Sequence, residues 1–401
     1  MNPAIFVVNA GSSSLKFALF GDGAALDPLA KGEVSGLGKS AHLRAQRMQT
    51  AAPATERELS GITSAADALS VVTDWIENNF LQVSFSAIGH RVVHGGSRFH
   101  APILVDEPTL QELESLDPLA PQHQPYNLAA IRTLRQRYPR AAQIACFDTA
   151  FHAGWEDRAR RIALPRKFYD AGVRRYGFHG LSFEFLSERV QTLVPGAQRV
   201  VLAHLGSGAS ICAVRDGRSV DSTMGFSVLD GLPMATRCGA IDPGVIFHLH
   251  RSHALDFDQI EHMLYYDSGL KGASGISADM RDLLASSAIE AAQAVELFVH
   301  HCVRSIGGLA AVLGGIEVLV FSGGIGWHAP SVRALICERL GFLGIGLDAV
   351  SNAANAERIS AEGIGVCTLA IETNEELVIA RHCRRLLASR EGLVGQSRHR
   401  P

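Results

Sequence analysis

The sequence predicts an α/β protein with a duplicated, two-domain fold, and three observations carry that prediction. Apolar runs of strand length alternate with segments of helical spacing, the pattern of an α/β chain. Two strand–turn–strand units, residues 4–19 and 200–214, match each other about 195 residues apart. At 401 residues the chain is too long for one ordinary core, so two domains are expected.

The elements follow in order. Ala4-Ile5-Phe6-Val7-Val8 reads as a strand, Gly11 and three serines follow, and the alternating Leu15-Lys16-Phe17-Ala18-Leu19 returns as a second strand. Such a hairpin aims backbone N–H groups, three hydroxyls and one ammonium at a single point, a phosphate cradle built on a turn. The Walker pattern G-x-x-x-x-G-K-S/T is absent. Residues 31–60 carry little readable signal. Ser64 caps a helix whose apolar face is Ala68, Leu69, Val72, Trp75 and Ile76. Residues 127–138 read as a helix stopped by Pro139, and Ile144-Ala145-Cys146-Phe147 as a buried strand ending in Asp148. Residues 182–194 read as a helix capped by Ser182. Val200 to His204 is a strand, Leu205-Gly206-Ser207-Gly208 a turn, and Ala209 to Val214 a strand closed by the hairpin signal Asp216-Gly217. A third Gly-rich turn, Ser322-Gly323-Gly324-Ile325-Gly326, follows the strand Val318-Leu319-Val320-Phe321. The paired hairpins suggest a nucleotide lying between the halves. A domain boundary near residue 150 follows from this repeat, since no composition break marks it.

Composition excludes several classes. Hydrophobic content of 47% and charged content of 19% describe a well-folded soluble chain. A net charge of −3 gives no footprint for nucleic acid or an anionic membrane. Only the tail is basic, with Arg384, Arg385, Arg390, Arg398 and Arg400, and it reads as a solvated, frayed end. The seven cysteines lack any C-x-x-C pair, which suits reduced thiols in a cytosolic protein without a zinc site. No signal segment is evident at the N-terminus. The apolar stretch 288–313 is interrupted by Glu290, Glu296, His300, His301 and Arg304. It reads as a buried or subunit-interface helix rather than a membrane span.

Six polar constellations carry chemistry. In His90-Arg91-Val92-Val93-His94-Gly95-Gly96, Arg91 either grips a carboxylate or phosphate with a two-pronged bond or forms a structural salt bridge. Pro121-Gln122-His123-Gln124-Pro125 presents His123 on a proline-framed loop. Asp148, in Phe147-Asp148-Thr149-Ala150-Phe151-His152, sits at a strand's C-terminal end, where α/β sheets gather ligands, or caps the next segment. Arg174-Arg175-Tyr176-Gly177-Phe178-His179-Gly180 sets an imidazole between glycines that let a ligand approach the backbone. Asp221 to Phe226 and Thr236 to Pro243 form a long glycine-rich connection, of the kind that is usually functional, with Arg237 as a second cation. Glu375 and Glu376 open a C-terminal helix, where their charge complements the helix dipole.

Together these segments resemble the acetokinase family of acetate and propionate kinases, from about residue 4 to residue 382. NAGSSSLK, GHRVVHGG, FDTAFH, RRYGFHG, DSTMGF, TRCGAIDP, SGGIG and TNEEL carry the resemblance. It implies an actin-like, sugar-kinase-like (ribonuclease H-like) two-domain fold with an interdomain cleft. One lobe would comprise residues 1–149 plus 376–401, the other residues 150–375 with the nucleotide site and a homodimer interface. It implies that Asn9 and Glu375 sit with Mg²⁺ or Mn²⁺, and that Ser12, Ser14 and Lys16 lie near the phosphates. Arg91 would bind the substrate carboxylate. Asp148 would be the essential acid, and His179 and Arg237 would stabilise the transition state with His123 nearby. The adenine nucleotide would be lined by His204, Leu205, Gly206, Ser207, Gly208, Asp279, Met280, Arg281, Gly324, Ile325, Gly326, Trp327 and His328. The acyl pocket would be Val93, Gln122, Phe178 and Val228. The implied reaction is reversible in-line transfer from ATP to acetate, giving acetyl phosphate and ADP in a cytoplasmic enzyme of acetyl-CoA biosynthesis.

The chain departs from the family pattern at Ser207, Ala240, Trp327-His328, Gln122, Val228, Leu181 and Phe183. The charged set Asn9, Lys16, Arg91, Asp148, His179, Arg237 and Glu375 is intact. The departures therefore bear on nucleotide and acyl-chain choice more than on phosphoryl chemistry. Trp327 would stack on adenine or block part of its site. The alternatives are a propionate or other short-chain acid kinase, a catalytically weak nucleotide-binding protein of the same fold, and a hydroxyl-directed kinase using Asp148 as base.

Overall fold

The computed structural model describes residues 3–11, 14–50, 53–80 and 82–397. They form two compact units, one from residues up to Ala150 together with those from Asn374 onward, the other from Phe151–Thr373.

The first unit is built on β1 (Pro3–Ala10), β2 (Ser14–Gly21), β3 (Pro28–Ser35), β4 (Ala41–Arg47), β5 (Thr55–Leu59), β6 (Ser84–Val92), β7 (Ile103–Leu104) and β8 (Ala142–Phe147). They lie in the order β5-β4-β3-β2-β1-β6-β8-β7. β1 is antiparallel to β2, with Asn9 opposite Lys16, and parallel to β6, which is parallel to β8. β1 is apolar on both faces because helices cover both. The helix Ala65–Asn79, with a Ser64/Asp67 capping box, buries Ala68, Leu69, Val72, Trp75 and Ile76 against Phe6, Val8, Phe17 and their neighbours. The helix Glu375–Ser397 covers β1 and β6 on its own side.

That last helix fits because Gly89 is bare. A Cβ built on Gly89 would stand 2.4 Å from Ile379 Cγ2 and 2.7 Å from Cys383 Sγ. Gly89→Ala is therefore expected to lift the helix off β6 and to destabilise the protein by about 1–3 kcal/mol, an overpacking cost. Thermal unfolding checks it; an unchanged midpoint would show that the helix has room to shift.

The second unit carries β9 (Arg199–Leu205), β10 (Ala209–Arg215), β11 (Arg218–Ser222), β12 (Val318–Ser322) and β13 (Cys367–Ala370), ordered β11-β10-β9-β12-β13. β9 is antiparallel to β10 and parallel to β12, which is parallel to β13. Taken in chain order, both cores read third-second-first-fourth-fifth, which is the duplication. Asp216 and Gly217 both have positive φ, 50° and 76°, as a two-residue hairpin turn of matching twist requires. The helix Ile289–Leu313 is, by length and composition, apolar enough to cross a membrane. It buries Ala291, Ala294, Val295, Phe298, Cys302 and Ile306 along one face against β9 and β10.

Several expectations are corrected. Residues 31–60 hold most of β3 and all of β4 and β5, strands whose exposed faces carry charge and hide the apolar alternation. The helix expected over 127–138 starts at Gln124, since Pro125 is well placed in a first turn. The helix expected from Ser182 is Gly180–Leu193, with His179 as its cap residue, because the Ser182 hydroxyl is engaged elsewhere. The stretch Ser322 to Gly326 is not a plain turn: Gly323–His328 closes into a short helix. Arg384 and Arg385 belong to the last helix, where Arg384 Nη1 donates to Gly23 O at 2.9 Å. Ser12, Arg398 and Arg400 lie outside the described residues.

Candidate active-site clusters

In the first unit the C-terminal ends of β1, β6 and β8 bring Asn9, Arg91 and Asp148 together. The Arg91 guanidinium donates from Nε to Asp148 Oδ1 at 3.2 Å, from Nη2 to Asp148 Oδ2, and from Nη1 to Asn9 Oδ1 at 3.2 Å. Glu375, opening the last helix, stands 4.0 Å from Arg91 Nε. Burial works against the charge on Arg91, but Asp148 and Glu375 together hold its pKa above the usual arginine value. Burial pushes the Asp148 carboxyl up against the pull of Arg91. It pushes Glu375 up to about 7, opposed by Arg91 and by Lys16. Lys16 is exposed on β2 and Ser14 opens that strand.

Two amides unremarked in the sequence hold the neighbouring turn. Asn127 Oδ1 accepts from Val93 N at 3.0 Å while its Nδ2 donates to Ala10 O at 2.6 Å. Gln124 accepts from His94 N and donates to His94 O, both at 3.1 Å. Both amides are buried on the helix Gln124–Arg137, whose start carries Gln122 and His123, each half-buried. Val93 is buried beside this clamp. A pair of amides three apart on an otherwise apolar helix face was the available signal.

In the second unit the C-terminal ends of β9 and β12 carry the two glycine segments, and a Cβ on Gly206 would lie 3.7 Å from Gly324 N. Over Gly208 sit a guanidinium and an imidazole: a Cβ there would be 2.7 Å from Arg237 Nη2 and 3.2 Å from His179 Nε2. Arg237 Nη1 donates to Val228 O at 2.7 Å, joining a residue expected in the acyl pocket to the second cation. Met234 N donates to Arg237 O at 2.9 Å and Ala235 N to Ser207 O at 3.2 Å, so this loop is tied to the glycine turn. His179 is left-handed at φ 59°, bonds Ser210 Oγ through Nδ1 at 2.7 Å, and stacks on His204 at 4.6 Å between ring centroids. His204 Nδ1 lies 2.8 Å from Ser182 Oγ, which donates to Thr373 Oγ1. Leu205 and Gly206 are buried, Ser207, Gly324 and His328 exposed, and Ile325 and Trp327 half-buried. Asp279 caps the helix Met280–Ala285, but its carboxylate is taken up by Arg281 at 2.6 Å, and Met280 points into the core.

Phe178 is buried and its carbonyl accepts from His152 Nε2 at 2.9 Å. A carbonyl only accepts, so Nε2 carries the proton and Nδ1 accepts from Ser219 Oγ at 2.8 Å. Burial holds the imidazoles of His90, His94 and His152 down at about 4. An ordinary histidine titrates near 6.5, so the unfolded chain binds protons here that the folded chain refuses. These groups contribute stability that is present above pH 6.5 and lost as pH falls towards 4. The thermal midpoint is expected to drop steadily across that window; a flat profile would show these imidazoles titrating normally.

No group of three or more His, Cys, Asp or Glu that could hold a metal exists among the described residues.

The sequence model of the acetokinase family matches residues 4–381. The chain belongs to the acetokinase family. An acetate kinase of Methylocella silvestris is 46% identical over 398 residues, covering 96% of this chain and 98% of its own. Among solved structures, a propionate kinase from Francisella tularensis superposes with a TM-score of 0.88 at 34% identity, covering 95% of this chain and 98% of that one. Porphyromonas gingivalis acetate kinase gives 0.85 at 30% identity, covering 96% and 100%. The fold is therefore the duplicated actin-like, sugar-kinase-like α/β fold of this family.

Proposed function

We propose that this chain transfers the γ-phosphoryl group of ATP to acetate, giving acetyl phosphate and ADP, with propionate as the second acid. The observation that supports it most is a family match from residue 4 to residue 381 in a chain where Arg91, Asp148, His179 and Arg237 all stand in ordered polar clusters.

A carboxylate is already ionised at neutral pH and needs no general base. It needs relief from repulsion by the polyphosphate, which positioned cations supply. Arg91 orients the acid, and Arg237 with His179 neutralises charge developing on the transferred group. Asp148, bonded twice to Arg91, organises that guanidinium rather than accepting a proton. Asn9 and Glu375 would hold Mg²⁺, which would supply charge to offset that of the polyphosphate. Ser14 and Lys16 serve the phosphates, with Ser12. The residues of the β9 turn, the segment Gly324 to His328, and Asp279, Met280 and Arg281 serve the nucleotide. Val93, Gln122, Phe178 and Val228 shape the acyl pocket, with His123 beside it.

A homodimer is part of this reading. The helix Pro243–Ser252 has no buried residue yet bears Val245 and Phe247, 39% and 52% exposed, near Phe257 at 60% in the next helix. Exposed apolar side chains in such number mark an association surface; a monomer by sedimentation would remove this part. Seven free cysteines support a reducing, cytoplasmic setting.

The test is incubation with ATP, Mg²⁺, hydroxylamine and a panel of acids and sugars. Hydroxamate formed with acetate supports the proposal. ATP binding without product, or ADP released with sugars alone, overturns it.

A further inference from the structure

Arg333, on the helix Pro330–Glu338, is 0% exposed and heads the fully buried side chains by volume. A guanidinium has five N–H donors in a fixed plane, and all five are used. Nε donates to Asn352 Oδ1 at 2.7 Å. Nη1 donates to Gly326 O at 2.9 Å and Trp327 O at 2.6 Å. Nη2 donates to Asn352 O and Asn355 Oδ1, both at 2.7 Å. Every one of these acceptors is a neutral oxygen.

A buried cation held only by neutral oxygens is costly for stability, and an apolar side chain of similar volume would avoid that cost. What the charge does achieve is local. Gly326 and Trp327 lie in the last turn of the helix Gly323–His328, and Asn352 near the end of the helix Ala349–Ala353. Terminal carbonyls have no partner within their own helix and carry the negative end of its dipole. One planar cation thus ties the ends of two short helices together. The Gly323–His328 helix is open on its other side: a Cβ on Gly324 would meet nothing within 4 Å. Without Arg333 the segment's own contacts leave its last carbonyls unheld.

We infer that Arg333 is a positioning residue for the nucleotide, fixing the backbone of Gly324 to His328 so that this segment is preformed for the base and ribose of ATP. The inference rests on the reading that this segment lines the nucleotide. Lysine cannot replace it, because three rotating donors cannot serve five acceptors in one plane.

The experiment uses the full chain and its variants Arg333→Lys, Arg333→Met and Asn355→Gly. ATP affinity is measured by calorimetry without acid present, and kinetics with ATP and acetate varied separately. Asn355 sits at φ 51°, so glycine keeps its backbone while removing one acceptor. Arg333→Lys is expected to weaken ATP binding about tenfold and Asn355→Gly about threefold, the effect of losing one or two buried hydrogen bonds. The KM for acetate should stay within about twofold of the parent, since the acid's expected contacts are elsewhere. Loss of kcat with both KM values unchanged would reflect damaged folding alone and would overturn the inference. Should Arg333→Met fail to fold, Asn355→Gly still decides. Gly324→Val separates the two levels. If it leaves ATP binding intact, the nucleotide reading of the segment fails. If it blocks ATP while folded Arg333→Lys and Asn355→Gly bind normally, only the role of Arg333 fails.

Discussion

Alanine at position 91 is expected to lower kcat/KM by about 10²–10³-fold, the scale of losing one charge-stabilising donor. It should act chiefly through a higher KM for the acid. It is also expected to destabilise the protein by about 3–5 kcal/mol, because Asp148 and Glu375 would be left buried without their shared cation. Two roles of one guanidinium are thereby open to separation. In the double variant Arg91→Ala/Asp148→Ala one of the two orphaned carboxylates is gone, so part of the stability should return while the acid's KM stays high. Activity returning together with stability would make Arg91 a structural ion pair and nothing more. Arg91→Lys should rescue little, since an ammonium cannot bond both oxygens of Asp148 and Asn9 together.

Arg237→Ala should lose a similar factor, about 10²–10³, but in kcat, with ATP affinity close to the parent's. Its guanidinium donates from Nη1 to the Val228 carbonyl at 2.7 Å and shares the space above Gly208 with His179. Gly208→Ala is the companion variant. Its methyl would displace both side chains without removing either, so a matching fall in kcat would show that their placement matters. If Arg237→Ala instead raises the KM for ATP with kcat preserved, Arg237 binds the ground state only.

The hairpins and the glycine segments were readable because turn chemistry announces itself locally. Asp216 and Gly217 take positive φ for reasons contained in those two residues. The strands β3, β4 and β5 were not readable, because their meaning lies in their partners. Lys16 facing Glu33 across a ladder is a property of two segments, and neither shows it alone. The charged cluster residues stood out by type and setting. The residues that hold them did not. Asn127 clamps Ala10 from 117 positions away, and Arg333 reads as one more exposed helical cation until its five partners are seen. His179 was expected inside a motif, but its left-handed backbone is imposed by the turn between Gly177 and the following helix.

The first unit is assembled from both ends of the chain, and its β1–β6 face is covered by a helix beginning at Glu375. During synthesis the ribosome delivers that cover last. The residues from 151 to 373 emerge whole and can settle first, whereas the opening strands must wait with an apolar surface uncovered. A nascent chain stalled before residue 374 should therefore hold one finished body and one sticky, chaperone-dependent one. A normal folding order would be reversed, with the portion made earliest being the last to close.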